Sequence, residues 1–186
     1  MSLKARIVSG AVRVEGSIPG HKLPVLPEAF GIPQNPGIVA SYVIEPVKAT
    51  GVFAAHGSLV NHASEPVRLG PFSCLEFTID ASDLFLDQWW MHKAAGYASP
   101  IGTFRRQLLY GHEFRESFSA YTEDDTWEIL PWIAIVEPIS GHGYIIGMAL
   151  AGRGRMEVTR EGNKVKVVTC LDHDESYSTL VPPGET

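Results

Sequence analysis

Between residues 104 and 118 the chain runs Phe-Arg-Arg-Gln-Leu-Leu-Tyr-Gly-His-Glu-Phe-Arg-Glu-Ser-Phe. Side chains of a strand alternate between its two faces. One face therefore carries Phe104, Arg106, Leu108, Tyr110, His112, Phe114, Glu116 and Phe118, and the other carries Arg105, Gln107, Leu109, Gly111, Glu113, Arg115 and Ser117. The aromatic-rich face is expected to point inward, which takes Arg106, His112 and Glu116 with it. An unpaired charge in an apolar interior is costly, so these groups must be paired, hydrated or engaged with a ligand.

An imidazole titrates near neutrality and a nearby carboxylate can orient it, so His112 and Glu116 are the expected catalytic pair. Arg106 suits a carboxylate, phenolate or enolate oxygen. Alternate residues on one face lie about 6.5–7 Å apart, close enough for Tyr110 and Phe114 to line the same small-molecule site. Trp89 and Trp132, with Trp90, Met91, His92 and Trp127, supply the aromatic surface for a planar ligand. Two structural readings compete with this one. The polar groups are also accounted for by bonds to their neighbours, and a bulge at Gly111 would invert the face beyond it and carry His112 outward.

Other reactive residues are scattered. His56, His62 and Glu65 have the residue types of a metal-binding cupin site, but such a site needs closely alternating ligands such as His-x-His, and His112-Glu113 face opposite ways on a regular strand. His142 and His173 are expected in loops. No metal ligand set is assigned, and no motif calls for a cofactor. Lys93 has the chemistry of a Schiff-base amine if desolvated, and a snorkelling lysine is the alternative. Glu123-Asp124-Asp125 reads as a solvated turn rather than a calcium loop. The thiols of Cys74 and Cys170, each beside β-forming residues, read as core groups rather than as a disulfide or zinc framework. The chain has no Gly-x-Ser-x-Gly, no Gly-Lys-Ser/Thr phosphate loop and no Gly-x-Gly-x-x-Gly; triad hydrolases, P-loop NTPases and Rossmann oxidoreductases are disfavoured.

The elements that must position these residues are mostly strands. Strand patterns cover residues 6–14, with a bend at Gly10, and then 38–47, 52–60, 74–79, 104–118, 127–136, 144–150, 156–159 and 165–170. Arg160-Glu161-Gly162-Asn163, between two β-branched runs, signals a hairpin. Five prolines between Ser17 and Gly37 predict an irregular segment crossing the surface. One stretch, 83–95, reads as the single substantial helix: Ser82 or Asp83 caps it, Gly96 ends it, and Phe85, Leu86, Trp89, Trp90 and Lys93 recur at helical spacing. Together these predict a mainly β protein, an antiparallel β-barrel of calycin-like shape with the helix plugging or covering one end. An α+β fold with a curved antiparallel sheet wrapped around the helix is the alternative.

The chain's 186 residues, 45% of them hydrophobic and 19% charged, suit one domain with a substantial core. A formal charge of -6 disfavours nucleic acid as a partner. The start of the chain lacks a signal-peptide pattern and no apolar run is long enough to span a bilayer, so a cytoplasmic protein with no membrane partner is expected. The expected function is a cofactor-free acid–base lyase or isomerase/cyclase acting on a hydrophobic, aromatic or polyketide-like molecule in a barrel cavity. The alternatives are a non-catalytic lipophilic-ligand carrier or sensor, and a cupin-like metal-dependent enzyme. Sheet edges leave a homodimer open as a further partner.

Overall fold

The computed structural model describes residues 4–8, 11–15, 25–27, 37–47, 52–69, 72–81, 85–92, 102–119, 129–149, 153–171 and 179–184. Within them fifteen strands occur. In chain order these are β1 (Lys4–Val8), β2 (Ala11–Glu15), β3 (Val25–Pro27), β4 (Ile38–Pro46), β5 (Phe53–Asn61), β6 (Val67–Leu69), β7 (Phe72–Asp80), β8 (Asp87–His92), β9 (Thr103–Gln107), β10 (Glu113–Ser119), β11 (Ile129–Val136), β12 (Gly143–Gly147), β13 (Arg153–Glu161), β14 (Lys164–Leu171) and β15 (Thr179–Val181).

Two four-stranded antiparallel sheets carry the core, one ordered β10-β13-β14-β7 and the other β12-β11-β8-β9. Register fixes which side chains they turn toward each other. In the first sheet Phe114 lies opposite Val158, Val158 opposite Val167 and Val167 opposite Phe77, and all four side chains are buried. In the second, Tyr144, Ile135 and Gln88 form one row, and Ile146, Ile133, Trp90 and Phe104 the next. Phe77, Phe114, Val158 and Val167 belong to the same hydrophobic cluster as Ile133, Ile135 and Ile146, so the sheets pack face to face over one core. The solvent face of the first sheet alternates charge instead: Glu157 pairs with both Arg155 and Arg115, and Glu76 with Lys166. This period-two switch from aliphatic to ionic residues gives β13 and β14 their recognisable pattern.

Smaller units complete the described chain: a β1-β2-β3 sheet, the β4-β5 ribbon and a β6-β15 pair. The wholly buried Asn61 ties the end of the ribbon down. Its Nδ2 donates to the carbonyls of Val181 and Glu65, at 2.8 and 2.9 Å, and its Oδ1 accepts from the Ala63 N–H at 2.8 Å.

Several sequence expectations need correction. Among the described residues the sheets do not close into a barrel, and no substantial helix occurs. Residues 85–92 of the expected 83–95 helix are an extended approach followed by β8, a strand hydrogen-bonded on both sides, to β9 and β11. The helical spacing there was a coincidence of composition. Each face of β8 mixes polar and aromatic groups, Gln88, Trp90 and His92 on one and Asp87, Trp89 and Met91 on the other, so hydropathy does not alternate although the strand does. Residues 82–84 and 93–95 lie outside the described residues. The same holds for most of the proline-rich segment, but Val25–Pro27 is an edge strand on β2, a place where proline's missing N–H is tolerated. The expected first strand is two strands, β1 and β2, paired antiparallel. The hairpin at residues 160–163 is present, with β13 and β14 reversing through Gly162 and Asn163 and Gly162 at a φ of 56°. No helix among the described residues is long and apolar enough to cross a membrane.

The expected 104–118 strand is also two strands, and they belong to different sheets. The chain leaves β9 at Gln107, turns through Leu108 to His112, and enters the other sheet as β10. Leu108 is buried, its N–H donating to the Leu86 carbonyl at 2.8 Å. Gly111 adopts a φ of 73°, where an L side chain is strained. Arg160 secures the corner: its Nη1 donates to the Leu108 carbonyl at 2.7 Å, and its backbone exchanges bonds with Gly111 and His112.

Two glycine substitutions separate conformational strain from packing. Gly111→Ala meets no atom within 4 Å but keeps the left-handed φ, and is expected to cost about 1–2 kcal/mol. Gly154→Ala places a methyl 2.6 Å from the Cys170 carbonyl oxygen and closer still to the Phe118 ring, and is expected to cost about 1–3 kcal/mol by overpacking. Urea midpoints measure both; the Gly154 assignment fails if its variant matches wild type.

Candidate functional site

Facing rows of β8 and β10 meet across the core in two steps. Gln88 Oε1 lies 2.9 Å from His112 Nε2, and the Trp90 ring packs tilted on Phe114 at 5.2 Å; His92 and Glu116 come two residues further along their rows. Each row advances by alternate residues, so the steps follow from strand geometry alone once the two sheets are packed. From β9, Phe104 adds a ring stacked on Trp90 at 5.7 Å and edge-on to His92 at 4.9 Å. The Trp90 indole N–H donates to His92 Nε2 at 3.3 Å.

Solvent access changes along this ladder. Gln88 is 0% exposed and His112 5%, whereas Trp90, His92, Phe104 and Glu116 are half-buried. The sealed end is thus an amide–imidazole pair, and the more accessible end carries the Glu116 carboxyl and the His92 imidazole, with aromatic rings between.

Burial acts oppositely on the two titrating groups because it always favours the neutral form. It pushes the His112 imidazole below its ordinary 6.5, and the positive charge of Arg106 pushes it the same way. It raises the Glu116 carboxyl above its ordinary 4.5, against the smaller pull of His92. Gln88 adds a polar anomaly: with Oε1 on His112, its Nε2 is buried with no hydrogen-bond partner among the described residues. A buried donor left unmet costs about 1–3 kcal/mol.

The expected site residues are only partly gathered here. His112, Phe114 and Glu116 do share the inward face of β10, as alternation predicts. His112 and Glu116 are four residues and about 13 Å apart along the strand, and the residue bonded to the His112 ring is Gln88, not Glu116. Gly111 does introduce a left-handed turn, yet His112 stays inward because the turn reverses the chain into another sheet rather than bulging one strand. Arg106 lies directly opposite Gln88 and on its face, but on the edge strand β9, where it is exposed. Tyr110 stands in the turn and is 83% exposed, away from the rings. Trp89 and Trp132 share the outer face of their sheet with Ala134, opposite to Trp90 and Ile133, so the sheet separates them from His112 and Glu116. The Arg105 guanidinium covers Trp89 at 5.4 Å while donating to the buried Asp87 at 2.7 Å.

Gln88 is the site member that sequence reasoning did not single out; Trp90 and His92 entered only as part of an aromatic surface on the expected helix, and Phe104 only as a member of the inward face. For the three on β8 the one available signal was period two across residues 87–92, which the mixed faces of that strand conceal. Among the described residues no three His, Cys, Asp or Glu side chains gather where they could hold one metal ion. His56, His62 and Glu65 are exposed on or after β5, and His142 sits in the turn before β12. His173, Lys93, Trp127 and residues 123–125 lie outside the described residues. Cys74 and Cys170 are not joined in a disulfide, and burial raises Cys170 above its ordinary value.

No family model and no curated protein matches the chain. Among solved structures it is similar to the galactosidase domain of alpha-galactosidase-sucrose kinase, AgaSK, at 12% identity and a TM-score of 0.43, covering 89% of this chain and 26% of that one. The chain therefore spans about a quarter of that protein's length, and a likeness this distant carries no functional argument.

The opposed shifts give opposed pH dependences of stability. Because folded His112 titrates lower than unfolded His112, the unfolded chain takes up the proton first, and stability is lost as pH falls through about 6.5. Because folded Glu116 titrates higher, the unfolded chain ionises first, and stability is lost as pH rises above about 4.5. Glu116→Gln is therefore expected to unfold at a urea concentration near that of wild type at pH 4 and at a higher one at pH 7. Equal midpoints at pH 7 contradict the account.

Proposed function

We propose that the protein is a small-molecule enzyme, a cofactor-free acid–base lyase or isomerase/cyclase that binds a hydrophobic, aromatic or polyketide-like molecule at the accessible end of the β8–β10 ladder. The observation that carries this reading is the half-buried Glu116 carboxyl, held toward its protonated form by burial, on the inward row of β10 that also packs Phe114 on Trp90. A carboxylic acid kept neutral by its surroundings can donate a proton at a pH where an ordinary one has already lost it. In this reading Glu116 protonates the departing or rearranging oxygen and its carboxylate then takes the proton from carbon, while His92, whose Nε2 accepts from the Trp90 N–H, holds that ring in place. Trp90, Phe104 and Phe114 orient the planar part of the substrate by stacking and keep water off it. His112, sealed and bonded to Gln88, supports β10 and has no direct part in proton transfer here.

A carrier or sensor of an apolar ligand needs the same rings without the acid, and Glu116 separates the two readings. A panel of planar aromatic compounds, screened by quenching of tryptophan fluorescence and then for turnover, is expected to yield a ligand that the protein converts. Glu116→Gln is expected to lower turnover at least about 100-fold while changing binding only slightly, and Trp90→Leu to weaken binding. Binding without conversion by wild type would support the carrier instead.

A further inference from the structure

Among the described residues four edge strands flank the core, β10 and β7 of the first sheet and β12 and β9 of the second. An edge presents unpaired backbone groups to any strand that fits, and proteins guard such edges with charge. The same strand of a second copy always fits in length, because antiparallel pairing of a strand with itself about its central residue is a two-fold operation. That operation sets like against like. On β9 it brings Arg105 opposite Arg105, on β7 Glu76 opposite Glu76, and on β10 Glu116 opposite Glu116. Each of these strands carries further charge, Arg106, Asp80 and Arg115 respectively. Like charges directly opposite one another are destabilising, so these three edges resist self-pairing.

The β12 edge is built differently. Gly143-Tyr144-Ile145-Ile146-Gly147 carries no charge, and residues 138–152 contain no Asp, Glu, Lys or Arg. Its central residue, Ile145, is 81% exposed although it lies opposite the buried Ala134. The direction of the backbone groups follows from the flanks of the strand. The His142 carbonyl accepts from the Glu137 N–H at 2.8 Å, and the Met148 N–H donates to the Pro131 carbonyl at 2.9 Å, both on the β11 side. Antiparallel bonds alternate along a strand, so Tyr144 and Ile146 bond to β11 as well, and the N–H and C=O groups of Gly143, Ile145 and Gly147 point away from it. Ile145 is therefore the centre both of the strand and of its outward donors and acceptors.

We infer that β12 pairs antiparallel with β12 of a second copy about Ile145, joining two four-stranded sheets into one of eight strands. Ile145 exchanges both backbone bonds with its counterpart, and Gly143 does the same with the second copy's Gly147, so every outward N–H meets a C=O. On the outer face the two exposed Ile145 side chains cover each other, their Cα atoms about 5.5 Å apart. On the inner face Tyr144 lies opposite the second copy's Ile146, which continues the core across the two-fold axis. The pairing is independent of the chemistry proposed at Glu116, which stands on another strand.

The test is size-exclusion chromatography with light scattering on wild type, Ile145→Lys and Ile145→Glu, with hydrogen exchange followed at the Gly147 amide. Wild type is expected at twice the chain's 20.3 kDa, and each variant at the single-chain mass because each sets like charges face to face. An equimolar mixture of the two variants, which sets lysine against glutamate, is expected to return to the doubled mass. The Gly147 amide is expected to exchange at least about tenfold more slowly in wild type than in Ile145→Lys. A single-chain mass for wild type overturns the inference. A doubled mass that survives in both variants does so too, since the copies then meet elsewhere, and equal exchange at Gly147 replaces strand pairing with side-chain contact. If the charged variants do not fold, the wild-type mass and the loss of Ile145 and Gly147 amide protection on dilution decide alone.

Discussion

The packing of the inward row of β8 against the inward row of β10 is the constraint on which the rest depends. Gln88 against His112 and Trp90 against Phe114 fix how one sheet sits over the other, because a shift of one residue in either strand would turn its row to the opposite face. The five-residue corner from Leu108 to His112 makes this possible. It takes the chain from one sheet to the other within a few residues, with Gly111 supplying the left-handed backbone and Arg160 binding the corner to β13. Leu108, buried at the turn, anchors it into the same core that the two sheets share.

Electrostatics follow from that packing. The inward rows are mostly apolar, so a titrating group among them is driven toward neutrality, and the effect has opposite sign for a base and an acid. His112 becomes a neutral imidazole able to hold the Gln88 amide without a charge to desolvate, and Glu116 becomes a weaker acid that keeps its proton to higher pH. The gradient of access from Gln88 to Glu116 places the acid where a ligand can reach and leaves the sealed pair to the scaffold. Carboxyl groups on the outer faces are used differently: Glu157, Glu76 and Asp87 are paired with arginine or lysine.

Much of the fold was legible wherever one face of a strand is aliphatic and the other charged. β13 and β14 alternate valine and methionine with arginine, lysine and glutamate, and their Gly162-Asn163 turn carries its own signal, so both strands and their hairpin could be read directly. The inward facing of His112, Phe114 and Glu116 came from the same rule. It failed at Tyr110, which stands in the corner, and at Arg106 it gave the face but not the exposure, because alternation does not say which strand lies at an edge. β8 was illegible for a different reason: with tryptophan on both faces and polar groups between, its composition matches a buried helix as well as a strand, and only its neighbours β9 and β11 select the extended form. Since Gln88, Trp90 and His92 all lie on β8, half of the site was hidden with it. The misplacement of Trp89 and Trp132 has the same root, for the face of a tryptophan cannot be assigned before its strand is recognised.

The account stands or falls on the state of Glu116. Labelling the glutamate side-chain carboxyls with carbon-13 and following the Glu116 resonance against pH, with Glu116→Gln to assign it, reads that state directly. The predicted midpoint lies above 4.5 in wild type and rises further in His92→Phe, where the imidazole that draws it down is gone. A midpoint at or below 4.5, unmoved by the loss of His92, would contradict both the ladder's electrostatics and the role given to its accessible end.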